Sequence, residues 1–135
     1  MKDGTTLVEV KIGALIMDPN TNTPIVVLKG VETDTVLPIW VGAFEANAIA
    51  LEIEKIEPQR PMTHDLLANV IEGMGGTIDR IEINNLEGGT FFARIHIRQD
   101  GQVVKIDSRP SDAIALGVAT SVPIFVAEHV LEEVC

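Results

Sequence analysis

The sequence predicts an α+β fold: a single domain over residues 1–135, built from two β-β-β-α-α units. Three observations predict it. Apolar residues alternate with polar ones over long stretches, as in half-buried strands. The period then changes to helical spacing in Ala-rich segments. Both changes occur twice, over about 5–73 and 77–134, and "AIAL" stands in the first helix of each half. Hairpin-linked strands joined by helices imply a six-stranded antiparallel sheet that closes or nearly closes on itself, with the helices packed outside.

Val8, Val10, Ile12, Ala14 and Ile16 alternate with polar or small residues and form the first strand. "DPNTNTP" at 18–24 is a turn by composition, and "IVVLKG" at 25–30 is the returning strand. "VLPIWV" at 36–41 is the third, and Pro38 places it at an edge or a bulge because it has no N–H to donate. From Phe44 the spacing of Ile49, Ile53 and Ile56 predicts a helix to about Ile56, which Pro58 stops. A second helix starts near Thr63, read as its N-cap, with Asp65 at its positive end, and Gly73, Gly75 and Gly76 end it. The second half reads as strands at 77–86, 90–98 and 103–108, with Asp100-Gly101 as a hairpin turn. Phe92, Arg94, His96 and Arg98 point outward, His96 into solvent. A helix covers roughly 110–120, and "PIFV" at 123–126 leads into a short terminal helix.

Hydrophobic residues make up 46% of the chain and charged ones 22%, which indicates a globular domain with a core of Ile, Val, Leu and Ala. No apolar run has membrane-spanning length, and the first residues lack the pattern of a secretory signal, so the expected compartment is cytoplasmic with no membrane partner. The single Cys135 excludes an internal disulfide and is assigned no chemistry. Ten basic residues face 20 acidic ones, a net charge of −10. Tight, unspecific coating of nucleic acid is therefore excluded, whereas a carboxylate-rich site for a divalent cation is compatible.

In each half the third strand runs into a helix through a polar junction, "GAFEAN" and "SRPSDA". Pro110 and Ser111 suit a helix start, and Asp112 suits its dipole. Arg109 opposes that dipole, so it is paired with a carboxylate or awaits an anion. In "RPMTHDLL", His64 and Asp65 share a first helical turn, where an imidazole is suited to base or ligand chemistry. No zinc-type Cys pair, phosphate loop, dinucleotide fingerprint, HExxH or GxSxG is present.

The motifs "LPIWVGAFEANAIAL", "RPMTHDLL", "GGTFFARI" and "SRPSDAIAL…PIFVAEHVL" together resemble the bifunctional nuclease domain family over nearly the whole chain. The resemblance implies a compact α+β domain, often a homodimer, with nuclease activity on DNA and RNA in some plant relatives. Its polar motif residues carry over onto Glu45, Arg60, Thr63, His64, Asp65, Arg109, Ser111, Asp112 and Glu128. Where the family commonly has a cation after the "AIAL" helix, this chain has Ala119.

Two readings follow. In a nuclease, Glu45, Asp65 and Asp112 hold Mg²⁺ or Mn²⁺, His64 acts as base, and Arg60, Arg109 and Ser111 bind phosphate. In a non-catalytic regulatory or protein-interaction module, the same charges form a structural network and a dimer surface does the work. Junctions on opposite sides of the fold would exclude a composite site.

Overall fold

A computed structural model describes residues 6–134; Cys135 and the first five residues lie outside them. Seven strands and four helices follow in the order β1 (Leu7–Asp18), β2 (Thr23–Gly30), β3 (Val36–Trp40), α1 (Ala43–Ile53), α2 (Thr63–Gly73), β4 (Thr77–Glu87), β5 (Thr90–Gln99), β6 (Gln102–Ser108), α3 (Pro110–Thr120), β7 (Ile124–Ala127) and α4 (Glu128–Val134). The α+β class is as the sequence predicts. The strand count is not, because "IFVA" is itself a strand.

The sheet runs β3-β2-β1-β7-β4-β5-β6. Each half supplies an antiparallel three-stranded meander, and β7 lies between them. It pairs antiparallel with β1 and parallel with β4, so the sheet is mixed rather than wholly antiparallel. A strand with neighbours on both sides can be short and almost uniformly apolar. Among the described residues β3 and β6 stand at the two ends of the order and do not pair, so a closed ring is not seen. The halves share the order of three strands and a helix, but only the second adds β7.

The central helix is α3. Ile114 and Leu116 are fully buried, and Ala113, Ala115 and Gly117 join them. It lies on β4 and β5, and α1 and α2 pack against it. Gly117 permits the close approach to β4: a Cβ there would stand 2.8 Å from Ile81 Cγ1. Ile81, Ile83, Ala93, Ile95 and Val126 present the sheet side of the same core.

The opposite face of β4 and β5 departs from expectation. His96 is 2% exposed, not solvated. Its Nε2 is 3.2 Å from Glu82 Oε2, and Arg80 Nη2 holds the same oxygen at 2.7 Å. Arg80 also lies over the Phe125 ring, 5.7 Å from its centroid, so one β7 side chain joins this cluster. Alternation placed His96 on the outward face, but it could not show that Glu82 and Arg80 meet it there. Burial, only partly opposed by the Glu82 charge and reinforced by Arg80 and Lys105, holds the His96 imidazole below its ordinary value of 6.5. Below that pH the unfolded chain takes up a proton that the folded chain resists. Stability is therefore expected to hold above about pH 6.5 and to fall as the pH drops below it. Urea midpoints of the wild type and His96→Gln, compared at stepped pH, should show that this component is missing in the variant.

Candidate metal centre and its neighbouring cavity

The two polar junctions converge. Arg109, the residue before α3, donates from Nε to Asp112 Oδ2 at 2.9 Å and from Nη2 to Asp112 Oδ1 at 3.2 Å. The same Nη2 donates to Glu45 Oε2, in the first turn of α1, at 3.0 Å. This fork is the pairing that a cation against a helix dipole requires. Asp112 above all, and Glu45 with it, holds the guanidinium above its ordinary range. Pro110 opens α3, no side chain caps it, and Ser108 Oγ donates to Arg109 O instead.

Glu45, Asn47, His64 and Asp112 line one cavity of about 490 Å³, with Phe44 and Leu67 on its apolar side. Thr63 also lines it, as the first helical residue of α2 rather than the expected cap; Met62 takes the cap position. Asp65 reaches back, its Oδ2 accepting the Met62 N–H at 3.0 Å. That bond fixes the carboxylate at the helix start.

Asp65 Oδ1 is then left beside His64 Nε2, at 3.4 Å. Glu52 Oε2, from the last turn of α1, stands 3.4 Å from the same nitrogen. One donor atom each from Glu52, His64 and Asp65 lies within 4.8 Å of the others, a separation that suits a single cation. The His64 side chain is 9% exposed, so its ring orientation is set by packing. Glu52, Asp65 and Arg60 border a second hollow of about 630 Å³, with Lys55 and Ala119 on its wall. Both hollows thus border the start of α2.

The expected metal triad divides. Asp65 joins His64 and Glu52, while Glu45 and Asp112 are engaged by Arg109. Glu52 is the member of this cluster that sequence reasoning missed. It is an ordinary acidic residue in "AIALEIEK", and only the packing of α1 beside the start of α2 brings it to His64. Ser111 is buried and lines a third hollow, of about 350 Å³, with Trp40, Phe91 and Arg109. Glu128 begins α4, where its N–H donates to Thr6 O, and it lines none of these three hollows. No helix among the described residues is long and apolar enough to cross a membrane.

A family model described as "Bifunctional nuclease domain" matches residues 26–135. A Mycobacterium tuberculosis protein named only as uncharacterised is 38% identical over 125 residues, covering 93% of this chain and 74% of that protein. Bifunctional nuclease 1 of Oryza sativa subsp. japonica is 24% identical over 136 residues, covering 96% of this chain and 41% of its own length. Bifunctional nuclease 2 of Arabidopsis thaliana is 26% identical over 100 residues, covering 72% and 30%. The chain therefore spans less than half of these plant relatives.

Proposed function

Because the chain belongs to the bifunctional nuclease domain family, we propose that it hydrolyses phosphodiester bonds of DNA, RNA or both, assisted by a divalent cation held by Glu52, His64 and Asp65. The convergence of those three donors carries the reading. Two carboxylates and one imidazole suit Mn²⁺, and Mg²⁺ with water completing its shell. Bound there, the cation would polarise a phosphoryl oxygen and lower the pKa of a coordinated water.

The chain's own residues do the rest. The Met62 N–H holds Asp65 in place. Arg60 and Lys55, on the wall of the same hollow, supply positive charge for a phosphate. Ala119 lies on that wall where the family resemblance expects a further cation, so the phosphate contact rests on these two. Hydrolysis moves one proton from the attacking water to the leaving oxygen; with Nε2 committed to the cation, His64 acts as a ligand rather than the base expected of it, and that proton passes through solvent. Glu45, Arg109 and Asp112 tie the start of α1 to the start of α3, which supports the neighbouring cavity. A net charge of −10 fits a brief local encounter with the substrate rather than a long basic footprint. We place the protein in the cytoplasm, acting as a homodimer.

A non-catalytic regulatory or protein-interaction module is the second reading. It is favoured by Arg109, Glu45 and Asp112 satisfying one another, as structural charges do. Purified protein with labelled single-stranded RNA or DNA separates the two. Cleavage is expected with Mn²⁺ or Mg²⁺ and is expected to stop in EDTA. Intact substrate under every condition would leave the module.

A further inference from the structure

We propose that β6 is the surface through which two copies of this chain meet, extending the sheet across a two-fold axis centred on Ile106. The proposal rests on the two-copy reading above and adds the surface and its register. The two sheet ends are unlike. At β3, Pro38 interrupts the edge, a common guard against strand pairing. At β6, every residue from Gln102 to Asp107 is exposed and none is Pro. Val103 is exposed on one face of the strand, and Val104 and Ile106 on the other. An unguarded apolar edge strand is a template for another strand.

Val104 and Ile106 lie opposite Ile97 and Ile95, on the face that the helices cover elsewhere. The end of α2 stops one strand short. Gln99 Nε2 donates to Met74 O at 2.9 Å, and a Cβ on Gly76 would meet Ile97 Cγ2. The exposed Val70 and Met74 of α2 and the uncovered Val104 and Ile106 therefore form a step beside the edge. A second copy related by a two-fold axis brings its own α2 and β6 to that step and covers it from the other side.

Backbone phase and charge select the register. Asp100 and Gly101 both have positive φ, so the β5-β6 turn is a two-residue hairpin that hydrogen-bonds Gln99 to Gln102. The alternation that follows points the N–H and C=O of Val103, Lys105 and Asp107 away from β5, toward the open edge. A two-fold antiparallel pairing must match these outward residues with each other. Centred on Lys105, it sets lysine against lysine. Centred on Val104, it sets Lys105 against Val103. Centred on Ile106, it sets Lys105 against Asp107 twice and packs Ile106 on its own copy. Neither Lys105 nor Asp107 has an ion-pair partner among the described residues of one chain.

Sedimentation velocity and light scattering over a concentration series test this. The wild type is expected to be dimeric. Lys105→Glu and Asp107→Lys are each expected to weaken the dimer about tenfold or more, since each sets like charges opposite each other twice. The combined exchange is expected to restore it. Both side chains are exposed, and circular dichroism checks that each variant folds. If the single changes leave the dimer intact, the copies meet elsewhere: this surface fails while the two-copy reading stands. If the singles weaken it and the exchange does not restore it, the register is wrong. A wild type that is monomeric throughout overturns both, and leaves the cleavage assay unaffected.

Discussion

Replacing Asp65 with Asn is expected to lower cation-dependent cleavage by at least about 100-fold. The Met62 N–H needs one acceptor oxygen, and the Asn carbonyl supplies it. The amide nitrogen then takes the place of Oδ1 beside His64 Nε2, so a donor replaces an anionic ligand within the cluster. The start of α2 is kept at a cost of about 1 kcal/mol or less, because only the charge at the helix dipole is lost. Calorimetric titration with Mn²⁺, single-turnover cleavage and a thermal melt read the three consequences separately. Glu45→Gln is the informative companion. Glu45 is bound to Arg109, so this change is expected to leave Mn²⁺ affinity as it was. If Glu45→Gln or Asp112→Asn removes Mn²⁺ binding and Asp65→Asn does not, the cation sits at the Arg109 junction instead.

The contrast between those two carboxylate groups shows how far the sequence could be read. The six strands flanked by turns were legible because each carries several residues of strict alternation or a turn with defined chemistry. The helices were legible from Ala-rich 3.6-residue spacing, over 110–120 as read, whereas the one read to about Ile56 ends at Ile53, where Lys55 takes a positive φ before Pro58 is reached. β7 was not, since four apolar residues carry no period and its partners, β1 and β4, are remote in the chain. Arg109 was legible as an anomaly at a helix start, and its partners, Asp112 and Glu45, are the carboxylates of the two junctions. The candidate metal cluster was half legible. His64 and Asp65 stood together in one helical turn, whereas Glu52 is brought to them by helix packing, which no local pattern encodes. His96 was misread for the same reason: the groups that bury it lie on other strands.

Packing is also where the largest stability effect is expected. Leu116 is fully buried in α3, and Leu116→Ala should cost about 2–5 kcal/mol through lost transfer energy and the cavity left behind. That is a large part of the ~5–15 kcal/mol that holds a typical domain, and the melting midpoint should fall by ~10 °C or more. Val104→Ala, on the exposed sheet edge, should change stability by no more than about 0.5 kcal/mol at a concentration where the protein is monomeric. The effect of Leu116 should reach the site because Glu52 sits on α1 and His64 and Asp65 on α2, and both helices pack on α3. A cation bridging α1 and α2 stabilises only the folded arrangement, by about 2.7 kcal/mol at 100 times its dissociation constant. Saturating Mn²⁺ should therefore restore much of the midpoint lost in Leu116→Ala, and restore none of it when Asp65→Asn is added. Equal recovery in both variants would place the cation away from the α1-α2 contact.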